Sequence, residues 1–168
     1  MDEALQQHDV RGGLRGAAMF GGSVAAVAAL GGLFNPAAGD TRAWYDALQK
    51  PWFTPPDWVF GPVWTTLYVL IAIAGYRLWR AERGALRSAA LRWWTVQLLL
   101  NAAWSPVFFG AKRPTAALIV IVLMLAAIAA LIATSRKVDR GAAWMLVPYL
   151  AWVTLATLLN EEIVRLAQ

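Results

Sequence analysis

The sequence predicts an all-α integral membrane protein, a five-transmembrane-helix bundle. Five apolar stretches with no charge in their interiors, at roughly 16–34, 59–76, 93–111, 114–135 and 141–160, take up most of the 168 residues. Hydrophobic residues make up 60% of the chain and charged residues 15%, against about 45–50% and ~25% in a soluble domain. The alternating ~10-residue segments of a membrane β-barrel are not seen. A hydrocarbon core ~30 Å thick needs about 20 apolar residues in a helix. Inside lipid each backbone N–H and C=O must be paired, which helices achieve within one segment.

Residues 1–15 read as a polar tail expected to fray, followed by a single domain over 16–168. Its helices are expected near 16–34, 59–80, 89–109, 114–135 and 141–163, with a long loop at 35–58. The first stretch follows Arg11 and Arg15 and precedes Pro36-Ala37-Ala38-Gly39, which also fits a cleavable leader. Its apolar run exceeds the usual ~7–15 residues of such a leader, so a retained helix is expected. Ala18, Gly22 and Ala26 recur every four positions. They allow close approach of a neighbouring helix, or simply make a low-bulk one.

In the second helix Pro62 lies in the first turn, where a missing N–H costs little. Pro106 lies inside the third and should bend or end it. Lys112-Arg113-Pro114 turns the chain into a fourth helix of Ala, Ile, Leu and Val. The fifth holds Pro148, Tyr149, Trp152 and Asn160. The N-terminal arm and the links after helices 2 and 4 carry ten Lys/Arg, against five on the other side. The positive-inside rule then puts the N-terminus in the cytoplasm.

The net charge of +5 arises at helix ends and gives no reason to expect a nucleic-acid partner. With no cysteine and His8 as the only histidine, the chain offers no transition-metal or haem-ligand set, and no metal is expected. The absence of a mid-membrane carboxylate argues against an ion-coupled pump. Asp46, Glu161 and Glu162 read as solvated boundary residues.

The chain has ten tryptophans. Trp58, Trp79, Trp93, Trp94 and Trp144 read as interfacial anchors, because an indole has an apolar body and a polar N–H. Trp64, Trp104 and Trp152 lie deeper. Helical spacing puts Trp64 with Tyr68, Ile71 and Gly75, Gln97 and Asn101 with Trp104 and Phe108, and Trp152 with Ala156 and Asn160. A buried amide in lipid needs a partner, so Gln97 and Asn101 either join helices or line a cavity. Aromatic walls with a few polar atoms suit a large planar ligand. The 35–58 loop is long for a connector. Its prolines and its Trp44, Tyr45, Trp52 and Phe53 suit either a lid over the bundle mouth or an interfacial anchor.

Three motifs in register carry a family resemblance. They are Trp44-Tyr45-Asp46-Ala47-Leu48-Gln49-Lys50-Pro51-Trp52-Phe53-Thr54-Pro55-Pro56 followed by Gly61-Pro62-Val63-Trp64, the segment from Gln97 through Asn101, Trp104, Ser105 and Pro106 to Arg113, and Pro148-Tyr149-Leu150-Ala151-Trp152 followed by Ala156-Thr157 and Leu159-Asn160. Over roughly residues 20–166 the chain resembles the TspO/translocator protein family, also called tryptophan-rich sensory proteins or peripheral benzodiazepine receptors. The resemblance implies a five-helix bundle, a homodimer, and a porphyrin such as protoporphyrin IX or another hydrophobic small molecule as ligand, with no obligatory cofactor. By motif position, Tyr45 and Pro55 of the lid, Trp64, Asn101, Trp104, Trp152 and Ala156 would bind it. Trp64 and Trp152 would take part in light- and oxygen-dependent porphyrin breakdown. A transporter of porphyrin or another lipophile, and a ligand-dependent sensor acting through a partner protein, are the alternatives. The sterol-recognition pattern of animal members is incomplete, because Glu161 stands at its aromatic position.

Overall fold

A computed structural model describes residues 2–34 and 39–167, with side chains from Gly12 onward. The side chain of His8, and Pro36 with the small residues proposed as a cleavage point, lie outside the described residues. The described chain is helical: α1 (Asp2–Leu33), α2 (Gly39–Ala47), α3 (Asp57–Arg80), α4 (Ala85–Ser105), α5 (Pro114–Ser135), α6 (Arg140–Met145) and α7 (Val147–Leu166). Helix α1 thus runs through part of the polar segment 1–15 as well as the apolar stretch. Among the described residues, Gly12–Leu33, Asp57–Arg80, Pro114–Ser135 and Arg140–Leu166 are long and apolar enough to cross a membrane. Helix α4 has the length, at 21 residues. Its Arg87, Arg92, Gln97 and Asn101 make it more polar than the other four.

The two prolines act as backbone chemistry requires. Pro106 has no N–H to give the carbonyl of Ala102, and α4 widens into a π-helical turn, Pro106–Gly110. That turn closes with the Ala111 N–H donating to the Pro106 carbonyl at 2.8 Å. Pro148 likewise cannot bond the carbonyl of Trp144. The expected fifth helix is therefore two pieces, α6 and α7, joined at Leu146. The loop at 35–58 contains α2, which Gly39 opens with a φ of 71°. Arg42 holds α2 in place by pairing with Asp46 at 2.7 Å and with Asp57, at the start of α3, at 2.8 Å.

Helix α4 packs along α5, α5 along α7, and α1 along α3, while α3 meets α7 only lightly. The α1 contact uses Gly16, Phe20 and Val24 rather than the Ala18/Gly22/Ala26 row, which is exposed. A Cβ on Gly16 would lie 2.4 Å from the Trp79 ring, so the glycine is needed for close approach there. Trp94 departs from its expected interfacial place. It is 5% exposed, while Trp93 stays on the outer face. Consecutive helical residues point about 100° apart, so only one of the pair can face lipid. Trp94 fits because Gly75 has no side chain: a Cβ there would meet the Trp94 Nε1 at 2.6 Å.

At one end, Arg87 donates to the carbonyls of Leu78 (3.3 Å) and Trp79 (2.6 Å), closing the last turn of α3. Asp139 caps α6 by accepting from the Ala142 N–H at 3.0 Å, and it receives the Arg77 guanidinium through two bonds of 3.0 and 3.1 Å. Partial burial raises the Asp139 carboxyl, but the Arg77 and Ala142 bonds outweigh it and leave the pKa below the usual carboxylate value.

Candidate functional site: an aromatic and amide cluster between α3, α4 and α7

Helical spacing on α3 puts Phe60, Trp64 and Tyr68 on one stripe, and α7 presents Tyr149 and Trp152 against it. The Trp64 ring lies 5.3 Å from Tyr68 and 6.3 Å from Tyr149, and Phe60 meets Trp152 edge-on at 5.5 Å. Asn101 on α4 joins the three helices. Its Oδ1 accepts from the Tyr68 hydroxyl at 3.2 Å, and its Nδ2 donates to the Tyr149 hydroxyl at 2.9 Å. The Tyr149 hydroxyl in turn points at the Met124 sulfur of α5, 3.5 Å away. Tyr149 is fully buried and Asn101 is 7% exposed. A polar chain buried this deeply is stable only because each member has a partner.

Of the two amides read together on α4, only Asn101 joins helices. Gln97 turns back on its own helix, with its Nε2 donating to the Trp94 carbonyl at 2.8 Å. Trp104 lies one turn beyond Asn101 and connects two clusters. Its Nε1 donates to Asn160 Oδ1 at 3.3 Å, and Asn160 Nδ2 donates to the Pro114 carbonyl at 2.9 Å. Its ring stacks on Phe108 at 5.0 Å. That second cluster carries the lid. Trp44 meets Phe108 at 5.8 Å and Tyr45 meets Phe109 at 5.6 Å, so α2 rests on the π-helical turn made by Pro106. Lys50 Nζ lies 4.4 Å from the centre of the Tyr45 ring, and burial pushes the Tyr45 phenol up.

Trp64, Asn101, Trp104, Trp152 and Ala156 thus belong to one interior cluster, while Tyr45 reaches it through Phe109 and Trp104. Pro55 is half-buried in the segment leading into α3. Sequence reasoning passed over Phe60, Tyr149 and Met124 as site residues. Tyr149 had a signal: it stands three residues before Trp152 and therefore on the same helical face. Met124 had none, since α5 is uniformly apolar.

The indoles differ in one respect. Trp94 donates to the Ile71 carbonyl at 2.9 Å and Trp104 donates to Asn160. The Trp152 Nε1 is buried and has no protein acceptor. Gln97 Oε1 and Ser135 Oγ are the other buried side-chain atoms without a partner among the described residues, and neither belongs to a ring of this cluster. An unpaired buried donor costs about 1–3 kcal/mol. The Trp152 N–H is therefore the position in the cluster at which a ligand acceptor would be most strongly rewarded.

These features define a class: a multi-pass helical membrane protein with an aromatic and amide interior beneath a short helical lid. The TspO/MBR family model matches residues 20–166, and the chain belongs to that family. It is similar to the tryptophan-rich sensory protein of Cereibacter sphaeroides, 44% identical over 123 residues that cover 73% of this chain and 76% of that one. The human translocator protein is 43% identical over 124 residues, 73% of each chain. The tryptophan-rich protein TspO of Archaeoglobus fulgidus is 39% identical over 145 residues, 84% of this chain and 92% of that one.

Proposed function

We propose that this protein is a membrane receptor for porphyrins, with protoporphyrin IX as the reference ligand, bound between α3, α4 and α7 under the α2 lid. The observation that carries the reading is the unpartnered Trp152 N–H beside Phe60, in a cluster whose other polar groups are paired. Trp64, Trp104 and Trp152 supply flat apolar faces to a planar ring, and Ala156 leaves room beside Trp152. The Trp152 N–H donates to an acceptor on the ligand. Asn101 sets the Tyr68 and Tyr149 hydroxyls that border the same space. Tyr45 and Pro55 cover it from the lid. Helix α4 counts as a fifth crossing in this reading, because its polar residues turn inward, and the protein works as a homodimer.

A bound porphyrin supplies, under light, an excited state that activates dioxygen, the oxidant in ring breakdown. Trp64 and Trp152 hold the ring in place and offer electron-rich indoles at its edge. The test is tryptophan-quenching titration with protoporphyrin IX, dark and illuminated, on wild type and the Trp64→Phe/Trp152→Phe variant. Saturable quenching that weakens in the variant, with slower loss of porphyrin absorbance in light, is expected. If rates and products are the same for both proteins, the indoles are not participants. Equal quenching of both removes them from the binding site.

A further inference from the structure

Where α5 ends and α7 begins, an open groove of about 700 Å³ shares no residue with the aromatic cluster. Its rim carries Arg136, Lys137 and Arg140, and its apolar side is formed by Ile132, Trp144 and Val147. The three cations crowd one small space. None of them has a carboxylate within salt-bridge distance among the described residues. Asp139, the carboxylate nearest in sequence, is engaged by Arg77 and by the Ala142 N–H. The groove therefore has an unneutralised positive field that an anion would relieve.

The apolar side decides which anion. Trp144 is 73% exposed, beside apolar residues at the ends of two membrane-spanning segments. An exposed indole at that level sits comfortably among lipid glycerol and carbonyl groups. This end of the bundle also collects most of the Lys and Arg, which directs it to the leaflet where anionic lipids attract basic clusters. We propose that this groove binds an anionic phospholipid. Arg136, Lys137 and Arg140 hold the phosphate, Trp144 lies against the glycerol region, and an acyl chain runs along Ile132 and Val147.

The test is native mass spectrometry of the purified full chain offered phosphatidylglycerol and phosphatidylcholine in equal amounts. Wild type is expected to retain phosphatidylglycerol in clear excess. Arg136→Gln/Lys137→Gln/Arg140→Gln is expected to lower its retention by about tenfold or more. The control Lys112→Gln/Arg113→Gln, at the opposite end, should not. Trp144→Ala should weaken the lipid further without affecting inorganic phosphate, offered separately as a free-anion probe. Equal retention of both lipids by wild type overturns the proposal, and that measurement needs no variant to fold. Loss of the preference in the control, none in the triple variant, or displacement of lipid by an equal concentration of inorganic phosphate overturns it as well.

Discussion

Trp94 and Trp152 both lie against α3, one from α4 and one from α7, and they are held in opposite ways. Trp94 fills the notch left by Gly75, meets Phe20 edge-on at 4.8 Å and gives its N–H to the Ile71 carbonyl. Trp152 meets only the edge of Phe60 among the rings, and its buried N–H has no protein acceptor. Around Trp94 three helices close on one another. Around Trp152 the helices α3 and α7 touch only lightly. The same side chain acts as a packing element in one region and as an uncommitted donor in the other. Close packing with every polar atom satisfied marks structure, while aromatic surface with a donor to spare marks a place for a ligand.

The contrast breaks most visibly at Trp94. Trp94→Ala removes a fully packed ring and should cost about 3–5 kcal/mol of stability, read as a large fall in the thermal midpoint in detergent. Gly75→Val attacks the same notch from the other side and should cost about 1–3 kcal/mol through overpacking. If Trp94→Ala melts like wild type, the close-packed half is not what holds the bundle.

Trp152→Phe should behave in the opposite sense. Its melting point should stay within about 0.5 kcal/mol of wild type, because the lost N–H had no protein partner. Affinity for protoporphyrin IX should fall by roughly tenfold, the worth of one hydrogen bond. A variant that loses stability and keeps affinity would reverse the assignment of the two regions.

Tyr149→Phe sharpens the comparison between them. Removing the hydroxyl leaves an Asn101 N–H unpaired and should cost about 1–3 kcal/mol, with a smaller loss of binding. Tyr45→Ala touches only the lid. It should leave stability nearly unchanged and speed ligand release by a few-fold, measured by stopped-flow recovery of tryptophan emission.

The smallest effect belongs to the Arg77–Asp139 pair, which serves neither region. Asp139 has a depressed pKa, so its contribution is complete above the ordinary carboxylate range and is lost as pH falls through the lowered value. Arg77 is 45% exposed, so the pair is worth no more than about 1 kcal/mol. Asp139→Asn should lower the melting point slightly at neutral pH, and its acid profile should be flatter than that of wild type.

The membrane class followed from the order of the residues alone. Long uncharged apolar runs leave a helix as the economical way to satisfy the backbone in lipid, and Pro106 announced a break in α4 because a missing N–H is a local fact. The inward face of Asn101 was legible for the same kind of reason: an amide in an apolar helix must find a partner. Which partner it found was not legible. Tyr68 and Tyr149 stand 33 and 48 residues away in the chain, and only the crossing of α3 and α7 against α4 brings their hydroxyls to one carboxamide. The fate of Trp94 was hidden too, because its place depends on a glycine of another helix. Hydropathy and backbone chemistry act within a segment and can be read along it. Hydrogen-bond pairing and fit between helices are properties of their packing, so they decide which indole is buried as structure and which keeps a free donor.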